Sequence, residues 1–160
     1  AAVARLWNEI KYFHPYLAYR PLDWDAALLR AIPAIESAPD ARAYEAAVAG
    51  MLAELNDPQT RTGGDVPPPA PAKSRVRFYS GYAAQRGTPS PRYYSRFEEA
   101  DAVEFHGVAL GEGLSAVIRV SEPAAADAPA WNPDLARDRV YEDSPCPDRE
   151  KRILAWFRLW

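Results

Sequence analysis

Cysteine is nearly missing from this chain. Cys146, set between Pro145 and Pro147, is the one it has, so neither an internal disulfide nor a multi-cysteine metal site can form. Histidine is almost as scarce, with His14 and His106 alone. No apolar run approaches the roughly 20 residues that a membrane-spanning helix needs, which excludes a span of that kind. No basic stretch followed by an apolar one opens the sequence, so no signal peptide is read in it. A surplus of basic charge is absent too: 19 Lys and Arg against 22 Asp and Glu leave a net charge of −3. Non-specific phosphate binding needs a concentrated cationic field, so nucleic acid is not an expected partner.

What is present is apolar and aromatic. The 160 residues are 48% hydrophobic and 12% aromatic, enough to bury the core of one domain or two small units. The 16 prolines are the oddity, and they imply long irregular connections.

The first third reads as helix. Val3, Leu6, Trp7, Ile10 and Phe13 recur at helical spacing, and His14-Pro15 ends the run because the residue before proline disfavours the α region. A second helix begins near Asp23, its N-cap, with Asp25 set against the positive helix start. Pro33 is expected to kink or end it. A third runs from about Pro39 to Leu55 and stops at Asn56-Asp57-Pro58. Residues 63–74, GGDVPPPAPAKS, read as a polyproline-like connector that is neither helix nor central strand.

Short β-like runs follow at Val76–Tyr79, Tyr93–Phe97, Ala102–Phe105 and Leu114–Val120, the last pairing with Val108–Leu110 across Gly111-Glu112-Gly113. Residues 123–147 form a second proline-rich connector, and Asp148 caps a closing helix with Ile153, Leu154, Trp156, Phe157 and Trp160. The expected fold is therefore α+β: an N-terminal helical bundle (1–62), a connector (63–74), a small antiparallel β unit (75–122), a connector (123–147) and a C-terminal helix (148–160). Ala4-Arg5-Leu6-Trp7 is echoed by Phe157-Arg158-Leu159-Trp160, which reads as the start of a second helical unit cut short.

The run Leu6-Trp7-Asn8-Glu9-Ile10-Lys11-Tyr12-Phe13-His14-Pro15-Tyr16, then Asp23-Trp24-Asp25, then Leu55-Asn56-Asp57-Pro58-Gln59-Thr60, carries rare residues at fixed spacing. It resembles the N-terminal region of S41-family serine peptidases, relatives of the C-terminal-processing or tail-specific proteases. Gln59 stands where that family usually has histidine. The resemblance implies a non-catalytic region that positions or gates a protease domain of the same parent polypeptide and helps admit unfolded peptide. It also implies an exported parent. The family's serine and lysine belong to a later domain, and no catalytic residue is carried over here. A lysine base must be desolvated enough to be neutral. Lys11 flanks an amphipathic helix, Lys73 lies in the proline tract and Lys151 stands among charges.

His14 and His106, with Asp23, Asp25, Asp57 or Glu104, have the composition of a two-histidine, one-carboxylate metal site, but no short-spaced ligand pair exists. The expected roles are plainer: His14 bonded to nearby backbone, and His106 a strand-end surface residue, with no cofactor and no metal. Trp7, Phe13 and Trp24 read as core. Tyr16 and Tyr19 read as an exposed loop pair and are the substrate-binding candidates. They carry the alternative reading, a stand-alone peptide- or glycan-binding module. Arg75, Arg77, Arg86, Arg92 and Arg96 alternate with aromatics and read as a solvated strand face paired to carboxylates, and Cys146 lacks a histidine partner for thiol chemistry.

Overall fold

The structure, a computed structural model, describes residues 2–79, 95–130, 132 and 147–158. Tyr93, Tyr94, Arg86, Arg92, Cys146, Trp160 and most of the connector 123–147 lie outside the described residues.

Three helices open the chain. Helix α1 (Ala2–Phe13) buries Val3, Leu6, Trp7 and Ile10. Its stripe drifts onto His14, one turn past Ile10, which leaves Phe13 39% exposed where a core position was expected. A short 3-10 turn, η1 (Pro15–Ala18), follows. Helix α2 (Trp24–Glu36) is capped by Asp23, whose Oδ1 accepts from the Ala26 amide at 3.0 Å. It runs past Pro33 instead of ending there; the proline faces solvent and removes one intrahelical donor. Helix α3 (Ala41–Ala53) is capped by Asp40 and buries Val48, Met51 and Leu52.

The remaining described elements are β1 (Arg61–Thr62), β2 (Ala70–Tyr79), β3 (Ser95–Val103), β4 (Phe105–Gly111), β5 (Leu114–Arg119), β6 (Ser121–Pro123) and α4 (Arg149–Arg158). They form two three-stranded antiparallel sheets, ordered β1-β5-β4 and β3-β2-β6. The class is α+β, as the sequence indicates. The proline tract departs from expectation. Its last residues belong to β2, and Ser74 pairs with Ala100 on one side and Pro123 on the other, so β2 is a central strand. Proline is tolerated there because Pro71 sits near the strand start, at the irregularity in register between Pro71 and Ser74. Earlier in the tract, Val66 lies against strand β4: a Cβ on Gly107 would fall 2.6 Å from its Cγ2.

The hairpin is longer than expected. Strand β4 pairs with β5 from Phe105↔Arg119 to Gly111↔Leu114, leaving a two-residue turn. Glu112 at φ 52° and Gly113 at φ 78° give the left-handed pair that such a turn demands. The expected strand 102–105 is split at Glu104, where the chain leaves one sheet for the other. The return crossing comes at Val120, whose amide donates to Glu104 O at 3.2 Å. Buried Ser121 closes the junction, accepting from the Glu104 amide at 2.6 Å.

Helices and sheet share one core. Trp7, Leu28, Met51 and Leu55 pack in the same cluster as Val108, Ile118, Val120 and Leu154. The helical and β units that the prolines separate in sequence are thus joined in space. Helix α4 closes the core with Leu154 and is tied by ion pairs at both ends, Arg149 to Glu36 and Arg158 to Asp25. Among the described residues, no helix is long and apolar enough to cross a membrane.

Candidate functional site

His14 is fully buried and engaged through both ring nitrogens. Pro15 forces it into extended geometry (φ −67°, ψ 123°), which makes it the N-cap of η1. Its Nδ1 accepts from the Tyr16 amide at 3.2 Å. An accepting Nδ1 carries no proton, so in the neutral ring the proton sits on Nε2. Nε2 lies 3.1 Å from Asp57 Oδ2 and 3.0 Å from Thr60 Oγ1, and it donates to that pair.

Asp57 reaches His14 across 43 residues because α3 stops cleanly. Asn56 turns the chain in the left-handed region at φ 50°, where asparagine is well tolerated. Asp57 then folds its own turn, Oδ1 accepting from the Gln59 amide at 3.1 Å and its carbonyl from the Thr60 amide at 3.1 Å. Thr60 Oγ1 donates to Asp57 Oδ2 at 3.0 Å and accepts from the Arg119 amide at 3.1 Å. The Arg119 guanidinium, at the end of β5, donates to Asp57 Oδ1 at 2.8 Å. One node thereby joins the end of α1, the turn after α3 and strand β5.

The His14 and Asp57 side chains are both 0% exposed. Burial pushes the His14 pKa down, and the nearby positive charges of Arg119 and Arg77 add to it; together these outweigh the upward pull of Asp57. The ring is therefore neutral. Burial pushes the Asp57 carboxyl up, but the bonds from His14 and the Gln59 amide, with the charge of Arg119, hold it below its ordinary value. Asp57 is an anion with four donors.

Such a node resembles a hydroxyl–imidazole–carboxylate triad only in its residue types. In a working triad the carboxylate holds Nδ1–H, and Nε2 is free to take the hydroxyl proton. Here both oxygens lie on the Nε2 side, Nε2 already carries the proton, and Nδ1 is occupied by a backbone amide. No lone pair is left for proton abstraction; an open pocket lined by Asn56, Asp57, Pro58, Thr60 and Arg61 lies beside the node, but Thr60 itself is only 4% exposed.

Both folded pKa values lie below their ordinary ones, so the unfolded chain takes up protons first as pH falls and stability drops. For His14 that window opens as pH passes below 6.5, and for Asp57 below 3.8. Urea unfolding between about pH 7 and about pH 5 is expected to show a stability slope approaching about 1.4 kcal/mol per pH unit, the limit for one proton. His14→Gln should remove that component. An equal slope in the variant would show that His14 is not its source.

The other sequence candidates go elsewhere. Asp23 caps α2, and Asp25 is buried between Lys11 (3.1 Å) and Arg158. His106 is exposed and lies 3.6 Å from Glu9, so the two histidines are not brought to one site. Among the described residues, no group of three or more His, Cys, Asp or Glu side chains is placed to hold a metal ion. Tyr16 and Tyr19 are half-buried, not an exposed pair. Tyr16 lies between the Arg20 and Arg119 guanidinium groups, 3.5 and 5.2 Å from its ring centre. Tyr19 donates its hydroxyl to Glu122 at 2.7 Å, and burial with that partner raises its pKa. Arg75 and Arg77 also depart from the expected solvated face. Arg75 is paired to Glu122 at 2.6 Å, and buried Arg77 donates to the Lys11 and His14 carbonyls.

Arg119 and Glu122 were not singled out by sequence reasoning. Arg119 holds the polar phase of the best alternating strand, which marks a turned-away side chain but not its partner. Comparison of the chain with protein-family models, with curated proteins and with solved structures finds no match.

Proposed function

We propose that this chain is a non-catalytic packing module, the N-terminal region of an S41-like serine peptidase that positions or gates a protease domain lying outside these residues. One observation carries the reading: half of the residues that make up the resemblance, its histidine, both tryptophans and two of its aspartates among them, are interior ones. Trp7, Ile10, His14, Trp24, Asp25, Leu55, Asp57 and Thr60 are all buried. A motif of this composition is a folding signature, set to hold α1, α2 and the turn after α3 together, and not a reaction centre. The lysines fit the same view. Lys11 pairs with Asp25, Lys73 with Asp101 and Lys151 with Asp148, so none is a desolvated base.

The isolated chain is expected neither to hydrolyse unfolded casein nor to react with a fluorophosphonate probe, and to co-purify with the serine–lysine domain of its parent polypeptide. Hydrolysis by the isolated chain that disappears on replacing one of its serines would overturn the reading. The alternative, a stand-alone peptide or glycan binder built on Tyr16 and Tyr19, is less well supported because both rings are engaged inside the fold.

A further inference from the structure

A sheet edge invites pairing unless it is short, charged or broken by proline. Among the described strands at sheet edges, β1 has two residues, β6 has three and ends on Pro123, and β3 carries Glu98, Glu99 and Asp101. Strand β4 has none of these protections: its seven residues include no proline, lysine, arginine or carboxylate. Hydrogen-bond alternation tells which of its backbone groups look outward. The Gly63 amide donates to Ser115 O at 2.7 Å and the Arg119 amide to Thr60 Oγ1 at 3.1 Å, so Ser115 and Arg119 face β1. Ala116 and Ile118 then face β4, where they stand opposite Val108 and His106. The amides and carbonyls of Phe105, Gly107 and Ala109 therefore point away from the sheet. Among the described residues, no hydrogen bond reaches them.

Gly107 and Ala109 are exposed, and what a glycine exposes is backbone. Val66, a large apolar side chain left 45% exposed, stands over Gly107 on the outer face of the strand. On the core side a charged row follows α1: His106 lies 3.6 Å from Glu9, and Glu9 lies 3.9 Å from Arg5, one turn back. The direction of that row is fixed by the buried node. His14, just past the end of α1, shares Asp57 with Arg119, and Arg119 pairs with Phe105 at the start of β4. Glu9 sits by His106, so Arg5 lies further along, toward Val108.

We propose that the β4 edge pairs with the β4 edge of a second copy of this chain, antiparallel about a two-fold axis at Gly107. The β1-β5-β4 sheets of the two copies then form one continuous sheet. Gly107 meets its own counterpart and Phe105 meets Ala109, giving about six inter-strand hydrogen bonds from the groups that now point outward. The two Val66 side chains come together beside the axis and lose their exposure to water. In this register His106 stands opposite the second copy's Val108, which brings each Arg5 to the second copy's Glu9. The charge row is thus self-complementary under the two-fold, which selects a second copy over an unrelated peptide strand. The pairing does not depend on the chain belonging to a peptidase.

The test is sedimentation equilibrium on the full chain over a range of concentrations. The mass is expected to rise from that of one chain toward that of two. Ala109→Pro removes an outward donor and leaves the β4–β5 ladder its bonds, so it is expected to weaken association at least about tenfold. Arg5→Glu and Glu9→Arg each set like charges against each other across the axis, and each is expected to weaken pairing. An equimolar mixture of these two variants is expected to recover it, since each supplies the charge the other lacks. A chain that stays monomeric throughout, or a mixture no more associated than its components, would overturn the proposal. If the proline variant does not fold, the charge variants decide, because Arg5 is exposed and holds no core position. Hydrogen exchange reads the edge itself: the Gly107 amide should be protected in concentrated solution and exchange faster on dilution. Exchange there that is independent of concentration would reject the β4 edge even if the chain dimerises elsewhere.

Discussion

Replacing Asp57 with alanine is expected to destabilise the fold by about 3–5 kcal/mol, because it strips a buried charge network of its only anion. Arg119 then keeps a positive charge, its side chain 12% exposed, with no carboxylate beside it among the described residues. His14 Nε2 and Thr60 Oγ1 lose a shared acceptor, and the turn after α3 loses the Gln59 amide bond. Native domains have about 5–15 kcal/mol in total, so the variant should sit close to its unfolding threshold. The measurement is a urea or thermal melt, with a fall of about 10 °C or more expected for a chain of this size. Asp57→Asn keeps the shape and removes the charge; it should recover only part of the loss. Full stability in the alanine variant would mean that the node is incidental to the fold.

Trp7→Ala is expected to cost a similar amount, about 3–5 kcal/mol, by a different mechanism: a cavity at the meeting point of three helices. The Trp7 side chain is fully buried, and it exchanges hydrogen bonds with Trp24 in both directions. Its indole N–H donates to the Trp24 carbonyl at 3.3 Å, and the Trp24 indole donates to the Trp7 carbonyl at 3.1 Å. Lys11 Nζ lies 4.6 Å over its ring centre, and Phe157 of α4 meets it edge-on with ring centres 6.2 Å apart. Trp7→Phe should recover most of the packing and lose about 1 kcal/mol for the missing N–H bond. Trp156→Ala on α4 is the control, since that side chain is largely exposed at 66% and surface truncations of this kind fall within about 0.5 kcal/mol. A large loss at Trp156, or none at Trp7, would contradict the assigned core.

The helices were legible because their signals are local. Apolar spacing located α1, α2 and α3, and caps read at Asp23 and Asp148 mark the starts of α2 and α4; the Asp40 cap of α3 came only with the structure. Sheet topology was not legible in the same way, since pairing joins residues far apart. Nothing local in APAKS announces that Ser74 will be flanked by Ala100 and Pro123. Proline composition pointed to a connector, whereas one early proline at a register irregularity is compatible with a central strand.

The site was half legible. The resemblance marked His14, Asp57 and Thr60 as a set without giving their partner, and Arg119 comes from 59 residues beyond Thr60. Phe13 and His14 show the limit of helical periodicity: a stripe that drifts by one residue exchanges an expected core aromatic for a buried imidazole. Tyr16 and Tyr19 looked exposed because they sit in a short connection. Cation contacts and the Glu122 bond draw them in, and of those partners Arg119 and Glu122 are distant in sequence.

His14 is a neutral, Nε2-protonated structural pin. Nitrogen-15 NMR of the histidine side chains reads this directly across a pH titration of the folded chain. The expected result is an unprotonated Nδ1 and a protonated Nε2 for His14, unchanged as pH falls through 6.5 until the protein itself unfolds. A His14 ring that titrates reversibly near that value, or that carries its proton on Nδ1 with Nε2 free to accept, would contradict the account. It would reopen Thr60 as a candidate nucleophile.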